Sequence, residues 1–394
     1  MKFAVVAYGS RGDVEPCAAA ASGLLRRGHE VVMAVTPNLV GFIESAGLPA
    51  VAYGPDAREE VNPGSALVRR IAPKMQNPMG AVPEVVEHVA QVKMGKGATL
   101  TALANGSDLV LASFNEQGVA ANVAEYYGIP VAALHPFPER IWSSDWLFSR
   151  MIKAAEDAQR RVLGLPEATG PATPSPEIQA YDELCLPAPA AQWVEVDGKR
   201  PFVGALTLDL PTDADEEILS WIAAGTPPVY FGLGSTPIKT PGDTFGMISA
   251  SCAQLGERVL ICSGPNDVPG DPHSDHVKVV DAVNHAAVFP ACRAIVHHGG
   301  AGTTAAALRA GIPHLILWMW LDQPLWAAAV QQLEVGVGRR FSETTVETLV
   351  ADLRTILSPQ CAARAHDVAP YMSKPAESLA RTADLLEHAA RQGR

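Results

Sequence analysis

The stretch Arg293–Ala306, RAIVHHGGAGTTAA, decides how the chain is read. Ala294–Val296 is a short apolar run ending in two β-branched residues, the composition of a buried strand. His297 and His298 follow, then Gly299-Gly300-Ala301-Gly302-Thr303-Thr304, then an alanine-rich helical pattern. A strand that passes through glycines into a helix is the unit of an open parallel sheet. The same layout presents free backbone N–H groups at the positive end of a helix dipole, with hydroxyls beside them, and so suits an anion. No Gly-Lys-Ser/Thr follows, so the turn is not a Walker loop, and the GxGxxG spacing of dinucleotide sites is absent. Adjacent strand residues point to opposite faces, so one histidine faces a ligand and the other reads as core.

Outward from this stretch the pattern repeats. Val229–Gly232, which leads to Gly234-Ser235, and Val259–Cys262, Val277–Val280 and Leu315–Leu317 read as strands, with helical patterns between most of them. The first residues give the unit again. Phe3–Tyr8 is a strand and Gly9–Asp13 a turn; a helix with Pro16 in its first turn then runs to Arg27 and stops at Gly28. Val31–Val35 is a strand, Pro37 opens a helix ending near Gly47, and Leu109–Phe114, Gln117–Tyr127 and Ile129–Leu134 read as strand, helix and strand. Periodicity loosens between about Pro55 and Leu100. Prolines crowd Pro166–Pro189, and Pro201–Pro211 reads as the passage between two halves. The expectation is an α/β chain of two Rossmann-like domains. Residues 1–205 would form the first domain and 206–375 the second; 376–394 would be a helix packing back on the first domain. Such sheets bind ligands at the carboxyl ends of their strands.

Composition narrows the function. The chain has 394 residues, 48% hydrophobic and 18% charged, an ordinary globular balance. Its 42 acidic residues against 30 basic ones leave a net charge of −12, which argues against general nucleic-acid binding. The longest apolar run, Leu315–Leu321, falls far short of the ~18 residues of a membrane helix. Glycine, arginine and aspartate come too early for a signal peptide, so a cytoplasmic location is expected. The six cysteines show no CxxC pairing, and neither a zinc site nor a disulfide framework is expected.

Three strings carry candidate chemistry. In Gly9–Pro16, Asp13 serves either as a helix cap, worth about 1 kcal/mol, or as a catalytic base, and Ser10 lies beside it. In Arg293–Ala306, one histidine and the glycine turn bind phosphate. In Trp318–Gln323, Asp322 and Gln323 either bind hydroxyl groups, as a carboxylate beside an amide suits a polyol, or, for Asp322, cap a helix starting at Pro324. Weaker strings are read as structural. Asp213-Ala214-Asp215 is a DxD, but it precedes a helix instead of following a strand, so helix-start charge is the reading. Asp267, Asp271, His273, Asp275 and His276 form a solvated acidic loop.

Together these strings resemble the GT-B nucleotide-sugar glycosyltransferases that decorate glycopeptide antibiotics, macrolides, sterols and mycobacterial lipids. GSRGDVEP at Gly9–Pro16, PPVYFGLGS at Pro227–Ser235, and HHGGAGTT followed by LDQPLWA carry the resemblance, which spans nearly the whole chain. It implies that Asp13 is the general base on the acceptor hydroxyl. It places the donor diphosphate at Ser235, His298, Gly300, Gly302 and Thr303, the nucleobase at the backbone of Val283, and the donor sugar at Asp322 and Gln323. Ser10, Trp142 and Trp146 would hold a hydrophobic or amphiphilic acceptor, with transient membrane-surface contact allowed. The implied reaction is inverting transfer from a UDP- or dTDP-sugar without metal or other cofactor. Plant relatives stack a tryptophan on uracil; none stands in the corresponding segment, which leaves thymine and uracil open. An epimerase of the same fold and a noncatalytic partner are the alternatives.

Overall fold

The computed structural model describes residues 1–57, 78–138, 146–168, 170, 175–185, 200–236, 238, 240–266 and 276–393, without the side chains of 78–86 and 146–152. The chain forms two compact units. The first comprises Met1–Ala180, Val194–Leu208 and Pro375–Arg394; the second comprises Tyr181–Trp193 and Asp209–Lys374.

In the first unit the strands are β1 (Lys2–Ala7), β2 (Glu30–Val35), β3 (Ala50–Ala52), β4 (Leu109–Ser113), β5 (Val131–His135) and β6 (Glu177–Gln179). The helices are α1 (Arg11–Arg26), α2 (Val40–Ser45), α3 (Pro78–Ala104), α4 (Gln117–Tyr127) and α5 (Trp146–Val162). All strand pairs are parallel, in the order β3-β2-β1-β4-β5-β6. Alternation along β1 explains why both faces are covered. Phe3 and Val5 enter the core shared with Leu24 of α1, whereas Ala4 and Val6 enter the core shared with Leu100 of α3 and Val119 of α4.

The second unit has β7 (Val229–Gly232), β8 (Val259–Cys262), β9 (Val277–Val280), β10 (Ala294–His297), β11 (His314–Trp318) and β12 (Gly336–Arg340). Its helices are α6 (Asp215–Ala223), α7 (Pro241–Leu255), α8 (His285–Val288), α9 (Ala301–Ala310), α10 (Gln323–Gln332), α11 (Val346–Ile356) and α12 (Pro359–Val368). The order β12-β11-β10-β7-β8-β9 is again wholly parallel. Val229 and Phe231 pack with Ile248 and Leu353 on one face; Tyr230 packs with Val288, Phe289 and Ala307 on the other.

Both sheets reverse their winding direction beside their first strand, between β1 and β4 and between β7 and β10. In a doubly wound sheet this switch point is where the carboxyl ends of the strands leave a crevice. Gly9–Asp13 follows β1, Gly234-Ser235 follows β7, and His298–Gly302 follows β10. Topology thus places two of the three candidate strings at a switch point.

The final helix, α13 (Pro375–Gln392), belongs to the first unit. Leu386 and Ala390 join the α1 core. At the margin, Arg27 Nη1 donates to Asp384 Oδ1 at 2.7 Å and Glu387 Oε1 at 3.0 Å, and His29 Nε2 lies 3.0 Å from the same Glu387 oxygen. The His29 hydrogen bond, with help from Arg27, holds the Glu387 carboxyl down at about 2.

Several elements depart from the sequence reading. Helix α1 begins at Arg11, so Pro16 lies inside it instead of in its first turn. The carbonyl that Pro16 leaves without a donor belongs to Gly12 on the exposed first turn, which lessens the penalty. Helix α3 occupies much of the region where periodicity looked loose. It packs against α4, α5 and the sheet, so its apolar residues do not keep to one stripe. The edge strands β3 and β6 have three residues each, too few for a period to register. Cys17, Cys185, Cys252 and Cys292 are buried free thiols, each pushed up to about 12, chiefly by burial. Among the described residues no helix is long and apolar enough to cross a membrane.

Candidate active site

The second unit supplies an open helix N-terminus. Gly300 is the N-cap of α9, with φ −64° and ψ 140°, and as glycine it brings no capping side chain. The first intrahelical bond from this end is Thr304 N–H to Gly300 O, so the N–H groups of Ala301, Gly302 and Thr303 remain without helical acceptors. Thr304 spends its hydroxyl on the Gly300 carbonyl at 2.9 Å, which leaves Thr303 as the hydroxyl beside the free amides.

The two histidines divide as strand alternation requires. His297 is fully buried. Its Nδ1 accepts the Gly299 N–H at 3.1 Å, and its Nε2 lies 3.4 Å from His314 Nδ1 on β11. His298 sits between two glycines. A Cβ at Gly234 would lie 2.6 Å from His298 Cε1, and one at Gly300 would lie 2.7 Å from its Nε2. Gly234 also has φ +61°, a conformation that side chains resist. His298 Nδ1 is buried and has no hydrogen-bond partner among the described residues. Burial lowers the ring's pKa to about 4, so it is neutral near pH 7.

The loop after β7 is built around a residue the sequence reading passed over, Asn266. Its Nδ2 donates to Thr236 O at 3.1 Å and Ser263 O at 3.0 Å, and its Oδ1 accepts from Ile238 N at 2.7 Å. Gly264, at φ +58°, packs against the Gly234 carbonyl so closely that no Cβ fits. This frame leaves Ser235 exposed at the tip. No sequence motif announces Asn266, because the backbone groups it holds at Thr236 and Ile238 are 30 and 28 residues away.

Val283 packs its side chain into the core. The adjacent Asn284 N–H donates to Asp215 Oδ1 at 2.9 Å. Asp215 also accepts from Thr212 N and Thr212 Oγ, both at 2.7 Å. Burial works against its charge, yet these bonds outweigh it and lower its pKa. The DxD thus splits into a buried structural carboxylate and an exposed Asp213. No group of three or more metal-ligating side chains occurs among the described residues.

The turn before α10 corrects one alternative. Helix α10 starts at Gln323, and the Asp322 side chain makes no cap bond; its Oδ2 accepts from Trp326 Nε1 at 2.7 Å. Gln323 is buried, and its Oε1 accepts the backbone N–H groups of Met319 (2.7 Å) and Trp320 (3.2 Å). The amide oxygen is therefore consumed in holding the turn, and Nε2 is the end left for a ligand. Leu321, at φ +53°, and Trp320 are exposed large apolar residues on the same turn.

The first unit has the matching turn after β1, filled differently. Ser10 is the N-cap of α1 and Asp13 is its third residue. Asp13 Oδ2 accepts from Ser10 N at 2.7 Å and Ser10 Oγ at 2.8 Å, the reach-back half of a capping box. Asp13 is thus a capping-box partner and not the N-cap itself. Gly9, at φ +128°, presses on the carboxylate so closely that a Cβ there collides with Oδ2. Desolvation raises the Asp13 pKa, and the two Ser10 bonds oppose the rise. Asn115, after β4, donates from Nδ2 to the Tyr8 carbonyl at 2.8 Å and steadies the strand end that precedes Gly9. Its Oδ1 is itself held by Ser113 Oγ at 2.7 Å.

Trp142, and Asp267, Asp271, His273 and Asp275 of the acidic loop, lie outside the described residues. Trp146 opens α5, but its side chain is not among those described.

Residues 3–141 match the N-terminal domain of glycosyltransferase family 28, and residues 250–379 match the C-terminal domain typical of erythromycin biosynthesis protein CIII. An uncharacterized glycosyltransferase of Mycobacterium tuberculosis H37Rv is 55% identical over 420 residues, covering 100% of both chains. The chain belongs to the glycosyltransferase family. Glycosyltransferase GtfE of Amycolatopsis orientalis is 30% identical across 98% of this chain and 97% of its own. The crystal structure of glycosyltransferase VinC in complex with DTDP matches with a TM-score of 0.70 and 22% identity over 100% of both chains. That likeness fixes the fold as GT-B, two Rossmann-like domains.

Proposed function

We propose that this glycosyltransferase moves a sugar from a UDP- or dTDP-activated donor to a hydroxyl of a hydrophobic or amphiphilic acceptor, with inversion and without metal or other cofactor. One observation carries the reading: the uncapped N-terminus of α9, with three free N–H groups and an unpartnered histidine nitrogen beside it. A nucleotide diphosphate is the anion such a site suits, and VinC, of the same fold, was crystallised with DTDP.

Each group then has a role. The amides of Ala301, Gly302 and Thr303, the Thr303 and Ser235 hydroxyls and His298 receive the diphosphate, and the Gly300 turn brings them to it. They stabilise negative charge that grows as the glycosidic bond breaks, and fixed dipoles do so without reorganising. They take the place a divalent cation fills in other sugar-transfer enzymes. The backbone at Val283 meets the nucleobase. Asp322 and the Gln323 Nε2 meet donor sugar hydroxyls.

Asp13 takes the proton of the acceptor hydroxyl as its oxygen attacks the anomeric carbon from the face opposite the leaving diphosphate. That geometry inverts the anomeric configuration. The raised pKa strengthens Asp13 as a base. Ser10, Trp142 and Trp146 are assigned to the acceptor. The test is turnover with UDP- and dTDP-sugars, hydrophobic alcohols and a chelator, with product anomers identified by NMR. Chelator-resistant transfer with inversion supports the reading. Retention, metal dependence, or epimerised donor without transfer overturns it.

A further inference from the structure

His297 is fully buried and has no route to a ligand, yet its bonding is specific. Because Nδ1 accepts the Gly299 N–H, the ring proton resides on Nε2, where it faces His314 Nδ1. His314 then carries its proton on Nε2, a buried atom with no partner among the described residues. Burial lowers the pKa of both rings, that of His314 to about 3, so the pair is neutral and its tautomers are fixed. Such an arrangement leaves a donor unsatisfied, a cost that apolar residues would avoid.

The other end of the bond shows what it does. Gly299 has φ +91° and is wedged in place. A Cβ there would lie 2.7 Å from Ile316 Cγ2 and 3.3 Å from the Gln323 carbonyl. Its amide is the last before Gly300, the N-cap of α9. Glycines have the widest choice of backbone conformations, so two in succession need an outside restraint. His297 supplies one, from a β-strand.

We propose that His297 is a positioning residue for donor binding: by accepting the Gly299 N–H it fixes the peptide planes of the turn that aims the free amides of α9 at the diphosphate. The inference rests on the donor-site reading above and adds a residue that does not touch the donor.

Two conservative variants separate this role from core packing. His297→Asn places Oδ1 where Nδ1 stands and keeps an acceptor for Gly299. His297→Gln places its amide near the Nε2 position and loses that acceptor. His297→Gln keeps a polar group beside His314, whereas His297→Asn does not reach it. Affinity for dTDP and UDP is read by calorimetry on the full chain, with melting temperature alongside. His297→Gln is expected to weaken nucleotide binding roughly tenfold or more, the worth of one hydrogen bond serving an anion site. His297→Asn is expected to stay within about threefold of the parent, because its acceptor is retained. Equal affinities in the two variants overturn the inference, whatever their melting temperatures. If either variant fails to fold, amide exchange in the parent decides: slow exchange at Gly299 supports the bond, and exchange at the rate of an open loop overturns it. A parent that binds neither nucleotide overturns the donor-site reading itself, a result distinct from unequal loss between variants.

Discussion

Two glycine turns, one in each unit, share a layout and differ in what fills it. After β1 the chain closes its own helix end: the Asp13 carboxylate takes the Ser10 N–H and hydroxyl, and Gly9 packs against it. After β10 the N-cap is Gly300, which has nothing to offer, and three amides stay open beside His298. An anion built into the sequence makes the first turn a site with a proton acceptor. The lack of one leaves the second an open helix end, which we assign to the donor diphosphate. A helix N-terminus favours negative charge in both cases; the difference is whether it is covalently supplied.

That contrast breaks most visibly at Asp13. Asp13→Asn keeps an oxygen for Ser10 and relieves the desolvated charge, so folding and donor affinity should stay near the parent. Turnover should fall by a factor on the order of 10²–10⁴, the worth of a general base. Near-parental turnover in steady-state assays assigns Asp13 to capping alone and moves the base elsewhere.

The open turn should be disturbed by filling it. His298→Ala removes the ring proposed to meet the diphosphate, and Gly300→Ala pushes a methyl into that ring. Each should weaken dTDP or UDP binding roughly 10- to 100-fold, as for a hydrogen bond to a charged group. Calorimetry showing parental affinity in either folded variant removes the diphosphate from this turn.

Acid separates the two units. His297, His298 and His314 are all held neutral by burial. An unfolded histidine takes up a proton near pH 6.5 while these do not. Their contribution is therefore intact above pH 6.5 and declines below it, by about 1.4 kcal/mol per histidine for each pH unit until each folded pKa is reached. The first unit's Glu387 has its pKa lowered to about 2, so its contribution holds until pH falls below about 4.5. Denaturant titrations between pH 7.5 and 5 should show the transition of the second unit moving first. A first unit that weakens earlier contradicts the assignment.

The smallest effect belongs to Ser10→Ala. Loss of the hydroxyl bond removes a force that lowers the Asp13 pKa. The acidic limb of the kcat/KM profile, already above the ordinary aspartate range, should move to still higher pH while the plateau changes little. An unmoved limb means that another group titrates there.

Much of the fold is legible because it rests on local signals. Buried parallel strands read as apolar runs, and glycines mark where each meets its helix, as at Gly28 and Gly311. Elements without a local period, such as α3 and the three-residue edge strands, were not legible. At the candidate site the residue types of Asp13, His298 and Gly300 are visible in sequence. The partners that hold them are not, since Asn266, Asn115, Gly264 and His314 carry no motif.

The sequence by itself determined the alternation of strand and helix, the two glycine turns and the charge of the side chain that each contains, because these depend on residues within one or two turns of one another. Only the tertiary structure decided which histidine of the pair is enclosed, that the Gln323 amide oxygen is spent on its own turn, and that Asp13 is desolvated. Those outcomes depend on strand order and on side chains far apart in the chain: β10 lies between β7 and β11, so His297 meets His314 and His298 meets Gly234. Burial and hydrogen-bond partners are set by which strands become neighbours, and a local reading of residues contains no such term.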